Sequence, residues 1–310
     1  MITKAFGVGG IGTGIFFQLQ ENRALSREES RLAVLTDFKD YCKGHIIMHY
    51  VSVLSTGVKV YMLGLVGQDA PGERLLSEMQ SAGIDTRYIK TTAEAPTLFS
   101  VCFQYPDSAG GNITASNSAC GLVTPEYIQQ CAAEIDSDSL VLAAPEVPLK
   151  SRIRLLEIGR ERGAFTVSSF ASAEAADFKA SGGFVLSDLL AVNMDEALTL
   201  SGGDHHDAAN KITGTNPSIK LAITAGRGGV HLYEGGQYSH IPCLPAEVVS
   251  TAGAGDAFLG GTTAALMAGK DFIQAATFGT VTARFSVMSP NTIAETLTKE
   301  TIETFLEERM

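Results

Sequence analysis

The sequence predicts an α/β fold: a mostly parallel central sheet flanked by helices, with a small β layer set apart from it. Three features predict this. Short apolar runs of strand length alternate with helical patterns over most of the 310 residues. Several runs end in glycine-rich turns, and open α/β sheets bind ligands beyond the carboxyl ends of their strands. Two segments break the alternation and interleave polar with apolar residues, as half-buried antiparallel strands do.

In order, Ile2–Phe6 reads as a short strand entering the turn Gly7-Val8-Gly9-Gly10-Ile11-Gly12. The first break runs from Ile15 to Asp37 and contains Phe16–Gln20 and Leu32–Thr36. Val58–Val66 is a buried strand, and Gly72–Met79 a helix that Gly83 stops. The second break, Leu98 to Thr114, carries Phe99–Tyr105. Leu140–Leu142, Phe165–Val167, Leu189–Val192 and Leu221–Thr224 are further strands, with an amphipathic helix at Ile153–Arg162. Val230–Ile241 is a hairpin bent at Gly235-Gly236. The apolar run from Ala257 to Met267 is a buried helix, and Phe278–Ala283 belongs to another that lines a pocket.

Composition narrows the function. With 45% apolar and 18% charged residues the chain can bury a substantial core and is not of a disordered type. A net charge of −11 disfavours nucleic acid and anionic membranes as partners. The five cysteines (Cys42, Cys102, Cys120, Cys131, Cys243) are scattered and form no C-x-x-C pair, so they read as reduced thiols. No basic-then-apolar leader and no apolar run of membrane-spanning length is present, which gives a soluble, cytoplasmic protein as the expectation.

The most informative stretch is Val249-Ser250-Thr251-Ala252-Gly253-Ala254-Gly255-Asp256 ahead of the buried helix. The first amides of a helix have no partner within it, and the dipole adds positive potential there, so the turn is an anion site. Asp256 sits just inside it, where a carboxylate could take a proton from a hydroxyl attacking a phosphate. The alternative is a glycine turn with an acid that merely suits the dipole.

The stretch resembles the C-terminal signature of the ribokinase/PfkB family of carbohydrate kinases, D-T-x-G-A-G-D, with Ser250 in place of the first Asp. The resemblance implies that Asp256 is the catalytic base and that the amides of Gly253, Ala254 and Gly255 form an anion hole; Thr251 belongs to the same turn. Three further matches stand in family order. Gly64, Val66, Gly67, Asp69 and Gly72 match a first signature, G-x-V-G-x-D-x-x-G, and Gly83-Ile84-Asp85-Thr86 resembles the G-V-D-T after it. Asn193 to Glu196 matches N-x-x-E, whose Glu acts through water on the Mg²⁺ that accompanies ATP; these residues also read as a capping box. Thr224, Gly226 and Gly229 match a T-x-G-x-x-G turn that holds ATP phosphates, with Arg227 beside them. Thr280 lies where relatives often carry an Asn near the adenine. The resemblance implies a single ribokinase-like domain over residues 1–310, with segments near 12–38 and 96–115 forming a β lid. It implies ATP and Mg²⁺ as cofactors and a sugar or sugar-like acceptor. The exposed lid edges allow a homodimer.

The departures fall on the acceptor side. Gly14 stands near the family's sugar-binding Asp, and G-G-x-x-x-N becomes Lys43-Gly44-His45-Ile46-Ile47-Met48. Ser250 weakens the case for a monovalent-cation site. The missing acceptor residues motivate a second reading, a catalytically silent ligand sensor. A third is an NAD-dependent oxidoreductase built on Gly7–Gly12, a literal G-x-G-x-x-G, with Asp37 as the ribose-binding acid. Asp204-His205-His206-Asp207 reads as an exposed loop and helix cap, and His45 and His49 share a helix face.

Overall fold

A computed structural model describes residues 1–107 and 109–308, and the backbone alone at 37–39. The strands are β1 (Lys4–Val8), β2 (Gly12–Gln18), β3 (Val34–Tyr41), β4 (Lys59–Gly67), β5 (Ile84–Asp85), β6 (Ile89–Thr92) and β7 (Leu98–Gln104). They continue as β8 (Gly110–Thr114), β9 (Ser139–Ala143), β10 (Phe165–Ser168), β11 (Leu189–Asn193), β12 (Lys220–Thr224), β13 (Val230–Glu234) and β14 (Gln237–Ile241). The helices that matter below are α1 (Lys43–Leu54), α2 (Ala70–Ser81), α3 (Pro125–Cys131), α4 (Leu149–Glu161), α5 (Ala175–Ala180) and α6 (Gly183–Leu186). After them come α7 (Met194–Ser201), α8 (His205–Thr213), α9 (Ala254–Met267), α10 (Phe272–Val287) and α11 (Lys299–Glu307).

The main sheet runs β14-β13-β12-β11-β10-β9-β1-β4-β5, with β6 also paired to β4. The strands from β4 to β12 in this order are parallel, and β13 and β14 turn back as an antiparallel hairpin. Parallel strands need crossovers, which the helices supply; both faces are thereby covered, and the strands are apolar along most of their length. Phe6, Val8, Leu63, Val141, Leu142, Leu190 and Ile223 are all fully buried. Parallelism also brings the carboxyl ends of β1, β9, β10, β11 and β12 to one edge, where Val8 pairs with Ala143, Ala143 with Ser168, and Asn193 with Thr224.

The two breaks in the pattern meet in a second sheet of order β3-β2-β7-β8. The sequence predicts antiparallel pairing here. The outer pairs are antiparallel, but the central pair β2–β7 is parallel. The reason is topological: β2 continues from β1, and β7 follows β6, which is parallel to β4, so both leave the main sheet in one direction. The first signature sits at this exit. Asp69 caps α2 through the Gly72 amide and accepts from both the hydroxyl (2.5 Å) and the amide (2.8 Å) of Thr97, just before β7. A Cβ at Gly72 would lie 2.5 Å from the Gly67 carbonyl, so the clamp requires glycine. Arg74 fixes the root of β2 by donating to the Thr13 hydroxyl at 2.6 Å.

Two further expectations change. The first strand is Lys4–Val8 rather than Ile2–Phe6. Gly7–Gly12 leads into a strand, not a helix, so the turn has no helix N-terminus to meet a pyrophosphate and the dinucleotide fingerprint fails. Its partner Asp37 has a side chain outside the described residues. Met48 is wholly buried against Gly7 in the core. Asp204 caps α8 in a capping box, as read. Among the described residues no helix is long and apolar enough to cross a membrane.

Candidate active site

Helix α9 begins at the carboxyl edge of the main sheet. Gly253 is its N-cap with φ +77°, a left-handed conformation that glycine adopts without strain. The Ala254 amide turns back to the Thr251 carbonyl at 3.4 Å and that of Ala257 reaches the Gly253 carbonyl at 2.8 Å. Gly255 lies between them at the mouth of the site, and a Cβ there would meet nothing within 4 Å. Asp256 follows in the first turn.

Lys43, the first residue of α1, faces Asp256: its Nζ is 3.8 Å from Oδ1. Glu146 completes a triad of charges. It follows Pro145 after β9 with φ +76°, a backbone strain outside the glycines that costs on the order of 1–3 kcal/mol. Its Oε2 accepts from the Lys43 amide at 3.0 Å. A Cβ at Gly10 would come within 2.1 Å of that oxygen, so the glycine turn after β1 makes room for the carboxylate.

The acids outnumber the lysine, and the electrostatics follow. Asp256 raises the Lys43 ammonium well above its usual range. Burial raises Asp256 above the usual carboxylate range, against the pull of Lys43 and with the push of Asp40. Burial lifts Glu146 to about 7, again opposed by Lys43. A carboxylate of raised proton affinity beside a fixed ammonium suits a general base.

A narrow cleft opens here, at the carboxyl edge of the main sheet. Its walls bring together Lys43, Asn193, Glu196, Thr224, Gly255 and Asp256, with Ser169 and Phe170 from the loop after β10. Asn193 and Glu196 form a capping box on α7, each side chain holding the other's amide at 2.8 Å. Glu196 is 8% exposed, and burial raises its pKa.

The pfkB family carbohydrate kinase model matches residues 47–299. The chain belongs to that family. A ribokinase of Haemophilus influenzae is 26% identical over 262 residues, covering 83% of this chain and 84% of the relative. The structure of ribokinase from Giardia lamblia superposes with a TM-score of 0.86 at 20% identity, covering 98% of this chain and 99% of that one. That of Arabidopsis thaliana ribokinase complexed with ribose and ATP gives 0.78 at 19% identity over 99% of both chains. The fold is thus the ribokinase-like one the sequence predicts. The chain is a carbohydrate kinase, a phosphotransferase with an alcohol acceptor, and the sensor and oxidoreductase readings are without support.

The other residues singled out in this kinase lie around the cleft. Gly226 (φ +53°) and Gly229 (φ +82°) shape the turn between β12 and β13, closed by the Ala225 amide on the Gly229 carbonyl. Arg227 is exposed on that turn, and neither it nor the two glycines line the cleft. Thr251 is exposed before α9. The Ser250 hydroxyl accepts from the Ala252 amide at 3.3 Å, a turn-forming contact. Thr280 is buried inside α10, its hydroxyl returned to the Ala276 carbonyl at 2.8 Å. His45 is buried against Tyr41, and burial lowers it to about 3.

Sequence reasoning did not single out Glu146, which the fold brings against the start of α1. Lys43 was visible, but only as a departure from a glycine motif. Glu146 follows a proline in a loop with no motif around it, and Gly10, which makes room for it, is 136 positions away in sequence (146 − 10).

Proposed function

We propose that this enzyme transfers the γ-phosphoryl group of ATP to a hydroxyl of a sugar or sugar-like acceptor. Asp256 takes the hydroxyl proton. The amides around Gly253–Gly255 stabilise the charge on the transferring group, the strongest form of help available to phosphoryl transfer. Thr224 and the 226–229 turn seat the ATP phosphates, with Thr251 and Arg227 at the rim and Thr280 on the adenine side. Lys43 holds Asp256 in place and Glu146 orients the acceptor. The observation that carries the reading is Asp256 in the first turn of α9, 3.8 Å from Lys43 and level with the Gly255 opening.

The donor set suits a cation that arrives with the nucleotide. Glu196 is a single buried carboxylate on the cleft wall, and among the described residues no group of three acidic, His or Cys side chains could cage a metal. Mg²⁺ commonly binds through one or two carboxylates plus substrate phosphates and keeps several waters. When bound, it would neutralise phosphate charge, with Glu196 and Asn193 as its protein contacts.

The β3-β2-β7-β8 sheet acts as a lid that excludes water and so limits ATP hydrolysis. Its outer face carries Phe99 and Ile113, 40% and 71% exposed, in line with Val101. This apolar face pairs with a second copy to give a homodimer. The unpaired state of all five thiols favours the cytoplasm.

The test is product mass after incubation with MgATP and a panel of sugars, polyols and nucleosides, with Asp256→Asn as control. The expected result is one acceptor-plus-phosphate product that the variant does not form. Full activity in the variant would remove Asp256 from its role.

A further inference from the structure

We propose that Arg152, together with Glu174, is a positioning residue of this kinase: the pair ties down the loop after β10 that walls the cleft, and so keeps the transferring phosphoryl group and the acceptor in line. The proposal rests on the kinase reading above and adds two residues that act through this loop.

Arg152 stands in the first turn of α4, which joins β9 to β10, and is 0% exposed. One arm of its guanidinium donates to the Ser169 carbonyl at 2.7 Å and the other to Glu174 Oε1 at 2.6 Å. The same Glu174 oxygen accepts from the Ala171 amide at 3.0 Å, so the loop is held at residues 169 and 171 by one ion pair. Phe170, between them, packs on Phe178 and Phe184, and the Arg152 guanidinium stands 5.9 Å over the Phe178 ring. Ser169 and Phe170 are what this loop gives to the cleft wall. Strand order β12-β11-β10-β9 sets Ser169 beside Asn193 and Thr224 on one side and the loop of Glu146 on the other. The wall held by Arg152 therefore lies between the residues that seat ATP and those that orient the acceptor. A misplacement of about 1 Å at such a point costs on the order of 10² in rate.

Stability alone does not account for the pair. A fully buried guanidinium is costly to desolvate, and apolar residues of similar size often match a buried ion pair. The Nε of Arg152 and the hydroxyl of Ser169 are also buried with no hydrogen-bond partner among the described residues, which adds to the cost. Burial lowers the proton affinity of the guanidinium, opposed by Glu174 and then by Glu146, so its charge reaches the Glu146 loop as well. What arginine supplies and an apolar residue does not is geometry: its rigid fork makes two directed bonds at once.

Steady-state kinetics with MgATP and D-ribose, 2-deoxy-D-ribose, D-fructose or inosine, whichever the wild type phosphorylates, test this on wild type, Arg152→Met, Arg152→Lys and Glu174→Gln. ATP consumed and phosphorylated product formed are measured together, and rates are expressed per folded molecule. Arg152→Met should lower kcat about tenfold or more with both KM values within about threefold, the signature of lost alignment rather than lost binding. It should also raise the ratio of ATP consumed to product formed, because a loose wall lets water take the phosphoryl group in place of the acceptor. Arg152→Lys keeps the charge but not the fork, and its kcat should fall between the two. A role in folding alone would lower the melting temperature and leave both readouts unmoved. A kcat within about twofold of wild type in Arg152→Met, with the ATP-to-product ratio unchanged, overturns the proposal and leaves the kinase reading standing. Should Arg152→Met not fold, Glu174→Gln decides, since it keeps the shape of the side chain: a kcat lowered by more than about twofold at steady KM supports the role, and a smaller change rejects it. If the wild type phosphorylates none of the acceptors, the kinase reading fails and the role of Arg152 with it.

Discussion

The two halves of the site are built from different materials. The phosphate half is backbone: the turn 251–256, the cap of α7 and the end of β12 are each a few consecutive residues whose geometry is local. The other half is side chains: Lys43 and Glu146 come from α1 and from the loop after β9, and meet only in the folded chain. Amide geometry cannot be moved without moving a helix, so that half keeps the family pattern.

The largest expected effect breaks the chemistry that both halves share. Asp256→Asn should lower turnover by at least ~10², with little change in ATP affinity, because a positioned base contributes about 10²–10⁴. Single-turnover assays with ATP titration check it. Next in size is Gly255→Ala. The added methyl meets nothing in the protein and alanine favours a helix over glycine by about 1 kcal/mol, so melting temperature should hold or rise. The same methyl stands in the space offered to the phosphoryl group, and turnover should fall about tenfold or more, on the scale of a disturbed anion hole. A variant that is both stable and fully active would show that the amide turn is merely a helix cap.

On the acceptor side, Glu146→Gln probes a strained, buried acid. The folded protein holds the Glu146 proton up to about pH 7, whereas the unfolded chain releases it near 4.5. The folded state therefore binds more protons between these values, and the stability from this group is complete below 4.5 and lost as pH rises through 7. Thermal melts of wild type and variant from pH 5 to 8 should converge in slope if another group dominates. The expected result is that wild type loses more stability than Glu146→Gln as pH rises from 5 to about 7, with the gap constant above that.

How much of this was legible follows the same division. The alternating strands and helices gave the parallel sheet, because apolar runs of strand length have few other uses. The pairing of β2 with β7 was not legible as parallel, since alternation reports burial and not direction; direction comes from where the chain leaves the main sheet. The G-x-G-x-x-G at Gly7–Gly12 is no dinucleotide fingerprint because its glycines serve close approach: Gly9 abuts Gly44 of α1 and Gly10 abuts Glu146. A motif made of glycines records absent side chains, not what fills the gap. Met48, which stands where the family motif has Asn, is on a helix face that points into the core, while Ile46, one half-turn earlier, reaches the Gly253 turn.

The smallest effect compares two caps of the same chemistry. Asn193 and Asp204 both close capping boxes, on α7 and α8 respectively, and each accepts a bond of 2.8 Å from a backbone amide of its helix. Replacing either by Ala should cost about 1 kcal/mol, the usual value of an N-cap side chain. Asp204 is on the outer surface, where its helix packs beside the hairpin of His231 and Tyr233. Asn193 is on the cleft wall and fixes Glu196 through its own amide. Asn193→Ala should therefore also raise KM for MgATP severalfold and shift the Mg²⁺ concentration for half-maximal rate, while Asp204→Ala changes melting temperature alone. Equal kinetics in the two variants would make the Asn193 box a structural cap only and would confine the phosphate half to the 251–256 turn and Thr224.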